Sequence, residues 1–367
     1  MKTCTALKFT LVGVTTAALM AAATTVSAAG KLNVSNWAEY MAEDTISNFA
    51  KEYDIEVTFT PYDSVEAIDS KLLAGNSGYD VVVHASSSIA RLLKGNILQK
   101  IDKTKLPNFK HMSPDVMAQI GTLWDPGHNY IVPFMWGTHG VTYNEALVKK
   151  TYPGAPIGSM DMIFDPRHMK ELARCGVSFM DSPTDIIPMA LTYLGLDPNS
   201  TKKADYQKAE DMLKKVRPYI KTFDNYAWQR MSQREFCVAV TWGPDGLQAM
   251  AQAEEANTGV ILDFFLPPAP MFWVDSWVIP GDAQNVENAH LFLNYMMRPD
   301  VAANDSNYSW YATANKTAIP MIDEAVTSSP AVYPTAAQIA TMWTTAVIPP
   351  RMERVRTRTW TNFKAAN

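Results

Sequence analysis

The stretch from Lys31 to His84 constrains the fold most, because strand and helix patterns alternate along it without interruption. Lys31 to Ser35 alternates apolar and polar residues and then enters Asn36-Trp37-Ala38-Glu39-Tyr40, a strand running into a loop. Glu43 to Tyr53 carries Ile46, Phe49 and Ala50 at helical spacing. Ile55 to Thr60 alternates again, and Ser64 to Ala74 reads as a helix with Gly75 near its end. Asp80 to His84 holds the continuous run Val81-Val82-Val83, the pattern of a strand buried on both faces of a parallel sheet. Strand–helix–strand–helix–strand predicts an α/β lobe.

Later segments predict a second lobe. Tyr130 to Trp136 and Gly140 to Asn144 read as two strands around Gly137-Thr138-His139, where the chain is expected to cross over. Helical patterns follow around Met169–Ala173 and Tyr206–Val216, and Cys237–Trp242 reads as a buried strand. Met271 to Ile279 alternates like a strand, and Val286 to Met297 is helical until Pro299 stops it. A chain of this length exceeds what one core organises. The expected lobes are discontinuous: 30–135 with about 261–307, and 136–260 with about 308–367. In open α/β sheets ligands sit beyond the carboxyl ends of strands. Trp37, Ala85, Trp242 and Asp275 fall at or just after such ends.

Residues 1–29 have the form of a cleaved export signal. Lys2 and Lys8 precede a short apolar run, Phe9 to Met20, and Val26-Ser27-Ala28 has the small-x-small pattern of a cleavage site near Ala28/Ala29. The run is too short to span a bilayer, and Cys4 lies before it rather than after it, as a lipidated cysteine would. The chain carries 32 Lys+Arg against 37 Asp+Glu, a net charge of −5. Loss of the leader, with two lysines and no acid, takes it to −7. That balance offers none of the basic excess that nucleic acid or anionic lipid requires. Cys175 and Cys237 remain. In an oxidising compartment they form one disulfide or stay as two buried thiols; a bridge would close a loop worth about 4 kcal/mol at most.

The chemistry-bearing pattern is an aromatic residue with a carboxylate close by. It recurs as Trp37-Ala38-Glu39-Tyr40, Trp242-Gly243-Pro244-Asp245 and Trp273-Val274-Asp275, with Asp181 and Asp185 after the Val177–Phe179 run and Tyr311 after Trp310. An alkyl diamine needs both residue types. Its amines, with a free pKa near 10.4, stay charged at neutral pH and require carboxylates when buried. Its methylenes gain about 0.8 kcal/mol each on leaving water, and aromatic faces cover them. Any one of these aromatics also suits a core, and any one Asp also suits a helix cap or turn. The six histidines have no metal-like spacing, and no Gly-x-Ser-x-Gly elbow or phosphate-cradling loop occurs. Paired acids on Trp platforms also describe a secreted glycoside hydrolase, the competing reading of these residues.

At these residues the chain resembles the periplasmic putrescine- and spermidine-binding proteins of ATP-driven polyamine importers. The likeness runs through Asn36–Tyr40, Tyr79–Val83, Pro133–Thr138, Gly140–Asn144, Leu194–Ser200, Phe292–Tyr295, Arg298–Asp300, Tyr311–Lys316 and Arg354–Arg358. It implies a two-lobed type II periplasmic binding protein fold, each lobe a mixed sheet flanked by helices, with the ligand cleft between them. Cys175 and Cys237 match the disulfide of the putrescine-preferring branch. The ligand contacts of that branch fall on Trp37, Ala38, Glu39, Tyr40, Ala85, Asp185, Trp242, Asp245, Trp273, Asp275 and Tyr311, with Asp245 and Asp275 forming the retained end of the site. Ala38 and Ala85 stand where the family has serines, Asp185 where a glutamate is usual, and Glu39 where putrescine binders carry aspartate. Glu39 and Trp273 look more like the spermidine-preferring branch.

The resemblance implies a monomeric, non-enzymatic periplasmic carrier with no cofactor and no metal. A polyamine would draw together Trp37, Glu39 and Tyr40 of one lobe and Asp185, Trp242 and Asp245 of the other. The closed form would dock on separate permease and ATPase subunits. An amine receptor that feeds a sensor would share all these features.

Overall fold

The structure, a computed structural model, describes residues 30–366; the expected leader lies outside them. Among the described residues ten strands share one sheet: β1 (Gly30–Trp37), β2 (Ile55–Tyr62), β3 (Val81–Ala85), β4 (Val132–Asn144), β5 (Val177–Phe179), β6 (Thr222–Phe223), β7 (Val238–Trp242), β8 (Leu262–Phe265), β9 (Phe272–Val278) and β10 (Ala312–Thr313); eight follow the order β2-β1-β3-β9-β4-β7-β5-β6, and β8 and β10 each pair with β4 beside that path. β1 runs parallel to β2 and β3, and β9 runs antiparallel to β3. β5 runs parallel to both β6 and β7.

The triple valine in β3 shows why this lobe forms. Val81 and Val83 pack with Leu32, Val34, Phe49, Trp277 and Phe292 on one face. Val82 packs with Ile68, Ile89, Leu92, Ile120 and Val278 on the other. Each buried valine is worth roughly 1.5–3 kcal/mol, so a polar residue in this run would open one of two cores. In the second lobe Val177, Phe179, Val238 and Val240 pack under Tyr206, Leu213 and Phe363. Those last three come from the helices Lys203–Val216 and Pro350–Ala365, the second of which also packs on Pro183–Tyr193.

β4 joins the lobes. The two expected strands are one 13-residue strand, extended through Gly137-Thr138-His139 because that segment never lacks a partner. Gly137 and Thr138 pair with Trp273 and Phe272 of β9, and His139 pairs at once with Trp242 of β7. Two strand pairings also run across the expected boundaries. Leu262–Phe265, read as first lobe, pairs with Val141–Asn144 in the second-lobe half of β4. Ala312–Thr313, read as second lobe, pairs with Met135 and Trp136 in the first-lobe half. Alternation predicts a strand but not the sheet it joins.

Pro299 ends one helix by starting the next: Val286–Met296 is followed by Pro299–Ser309 with proline at its first turn. Cys175 and Cys237 are disulfide-bonded with Cα atoms 5.5 Å apart, tying together the entries to neighbouring strands β5 and β7. That contact closes the free-thiol alternative.

Candidate functional site

Where β4 crosses between lobes, one cleft of about 220 Å³ opens, and all eleven expected residues line it. Trp37 closes β1, and Ala38, Glu39 and Tyr40 follow in the turn, with Glu39 left-handed at φ 55°. Ala85 ends β3 and pairs with Asp275 in β9. Trp273 faces Gly137, where a Cβ would come 2.5 Å from the indole, so the missing side chain leaves the ring its place. Tyr311 follows the helix Pro299–Ser309. From the other lobe, Trp242 ends β7, Asp245 sits in the first turn of Gly243–Glu255, and Asp185 in the first turn of Pro183–Tyr193.

The aromatics touch. Trp37 lies 4.4 Å from Tyr62, Tyr40 meets Tyr311 edge-on at 4.7 Å, and Tyr311 lies 5.6 Å from Trp273. Tyr311 then crosses the cleft, its hydroxyl donating to Asp245 Oδ1 at 2.6 Å.

Six carboxylates line the cleft, and no Lys or Arg does among the described residues. Asp185, Asp245 and Asp275 are each 7–8% exposed. Burial pushes Asp245 up to about 7, against the Tyr311 hydrogen bond and with added repulsion from Glu39. Burial likewise pushes Asp275 up to about 7, opposed by Tyr40 and Trp37 and aided by Asp185. Trp37 Nε1 and Tyr40 OH favour the charged form of Asp275 by proximity, yet neither makes a hydrogen bond of ordinary geometry within the protein; Trp273 Nε1 is likewise unpartnered. Burial also acts on Asp185, but His139, Ser182 and Arg356 outweigh it and hold this acid below the usual range. Each unmet buried donor or acceptor costs about 1–3 kcal/mol.

Repulsion from Glu39 thus adds to the rise at Asp245, and repulsion from Asp185 to the rise at Asp275. The lining also includes Trp124, Trp228, Tyr226 and Asp63, which the sequence reading missed, although Tyr62-Asp63 after the Ile55–Thr60 run carries the same aromatic–carboxylate signal. From sequence His139 reads as a base without a nucleophile, or as a hinge or strand-end residue. Its ring is fully buried with Nε2 3.2 Å from Asp185 Oδ1.

A model of the bacterial extracellular solute-binding protein family matches residues 44–335. The chain belongs to that family. Among solute-binding relatives, the putrescine-binding periplasmic protein PotF of Escherichia coli K12 is 40% identical over 361 residues, 97% of each chain. The putrescine-binding periplasmic protein SpuD of Pseudomonas aeruginosa UCBPP-PA14 is 38% identical over 338 residues, 91% of this chain and 92% of that one. A solved structure described as a putative spermidine/putrescine ABC transporter from Listeria monocytogenes superposes with a TM-score of 0.81 at 28% identity, covering 92% of this chain and 99% of that one. The likeness to the putrescine branch, read first from short motifs, therefore extends over the whole solute-binding chain. The two-lobed fold is shared with it.

Proposed function

We propose that this solute-binding protein is the periplasmic component of an ABC importer and captures a polyamine, putrescine or a close relative, between its lobes. The observation that carries this reading is the composition of the cleft: six carboxylates and a wall of indole and phenol rings, with no basic side chain lining it. An anionic or zwitterionic ligand would leave its carboxylate or phosphate facing acids alone. A dication meets carboxylates from both lobes, Glu39 and Asp275 from one and Asp185 and Asp245 from the other, while Trp37, Trp242 and Trp273 cover its methylenes. The names of the relatives point the same way.

Capture needs no covalent step. The ligand touches both lobes only when they approach, so its binding favours the closed form, and closure expels water and strengthens each amine–carboxylate contact. β4 is the shared strand about which the lobes would turn. The closed protein would dock on a membrane permease driven by a separate ATPase. No helix among the described residues is long and apolar enough to cross a membrane. The test is isothermal calorimetry of ligand-stripped, refolded protein against putrescine, cadaverine, spermidine, agmatine, glutamate and maltose. At least one di- or polyamine binds, and the last two do not. Binding of an amino acid or sugar with no amine binding would overturn the assignment.

A further inference from the structure

His139 takes no part in the ligand contacts above, yet it is the most unusual group beside them. It lies at the crossing point of β4, paired in register with Trp242, with its ring fully buried. Neither Nδ1 nor Nε2 has a hydrogen bond of ordinary geometry within the protein. Nε2 is nevertheless 3.2 Å from Asp185 Oδ1, too near to be indifferent to that carboxylate and off the line of a full hydrogen bond. A buried imidazole is costly unless its N–H is used, and the acid is the polar group the structure sets beside it.

The other groups facing Asp185 divide by sign. Ser182 donates its hydroxyl to Oδ2, Arg356 approaches from the C-terminal helix, and Asp275 opposes from β9. Arg356 is already committed to Glu353. Neither Asp245 nor Asp275 has a cation among the groups acting on it.

Resting on the polyamine reading, we propose that His139 is a positioning residue whose imidazole keeps the Asp185 carboxylate ionised and in place before a ligand arrives, making it the preformed cation acceptor of the cleft. The amine then finds one charged anchor in the second lobe, and the remaining acids of the cleft respond to it.

The test compares wild type with His139→Val, which suits a strand but offers no donor, and His139→Gln, which keeps one. Carboxyl ¹³C NMR of ligand-free protein, assigned with Asp185→Asn, reads Asp185 ionised at pH 6 in wild type and protonated in the valine variant, because Asp185 then behaves as Asp275 does. Calorimetry with putrescine in buffers of different ionisation heat reads about one extra proton released at pH 6. Affinity falls on the order of tenfold, one pKa unit's worth, and recovers toward pH 8.5. The glutamine variant lies between the two. An Asp185 still ionised at pH 6 in the ligand-free valine variant, a loss equal at every pH, or tighter putrescine binding in that variant would each overturn the proposal. If the valine variant does not fold, carboxyl ¹³C NMR of wild type, assigned with Asp185→Asn, decides it: a protonated Asp185 at pH 6 without ligand sinks the idea. Failure of every amine to bind wild type would instead sink the polyamine reading and leave the ligand-free NMR result standing.

Discussion

The two lobes deliver acids to the cleft by different routes. In the first, Asp275 sits inside strand β9 opposite Ala85, and Glu39 hangs from a left-handed turn. In the second, Asp185 and Asp245 each occupy the first turn of a helix that follows a strand, with Pro183 and Pro244 opening those helices. A helix N-terminus stabilises a carboxylate by about 0.3–1 kcal/mol at exposed sites and up to about 2 when partly buried. If the carrying element decided the charge, the two helix acids would behave alike and the strand acid differently. They do not. Asp245 and Asp275 both rise to about 7 while Asp185 falls. Neighbours outweigh the backbone here: burial raises Asp245 and Asp275, and His139, Ser182 and Arg356 together reverse this for Asp185.

The comparison breaks most sharply if the unpaired acids are neutralised. Asp275→Asn and Asp245→Asn each remove a buried partner of an ammonium and should weaken putrescine by about 30-fold or more, corresponding to roughly 2 kcal/mol upward. Titration calorimetry of both variants checks whether the strand acid and the helix acid matter equally. A wild-type affinity in either would remove that residue from the site.

The next effect is on pH. Asp245, Asp275 and the buried Asp305 have folded values of about 7 against an ordinary 3.8. Between those limits the folded protein holds more protons than the unfolded chain, so ligand-free stability is greatest at the acid side and declines as pH rises through 7. Asp185 has the opposite sign, but its contribution is lost only as pH falls below the ordinary carboxylate range. Putrescine binding requires the ionised acids. Thermal melts from pH 5.5 to 8 should therefore show the ligand-free midpoint falling while the ligand-induced increment grows. An increment independent of pH would mean the acids do not meet the amine.

The smallest expected change lies at Ala85, paired with Asp275 at the first-lobe end. Ala85→Ser offers a hydroxyl to the same amine and should tighten putrescine several-fold, about 0.5–1.5 kcal/mol for one neutral hydrogen bond. Fluorescence titration of the cleft tryptophans reads it. No change would place the amine out of reach of β3.

What the sequence determined by itself is local or recurrent. Val81-Val82-Val83 announces a strand buried on two faces because side chains alternate across a sheet, whatever the sheet. The aromatic–carboxylate pairs announce cation chemistry because each pair is complete within a few residues. Tertiary structure decided what depends on distant chain meeting in space. It made β4 one strand, because β9 and β7 take it over without a gap. It paired β8 and β10 with β4 across the expected lobe boundaries, since hydrogen-bond partners, not alternation, choose a strand's neighbours. It drew Tyr311 to Asp245 across 66 residues and set His139 beside Asp185. A carboxylate's charge is a property of its surroundings, and in a folded chain those surroundings come from elsewhere in the sequence.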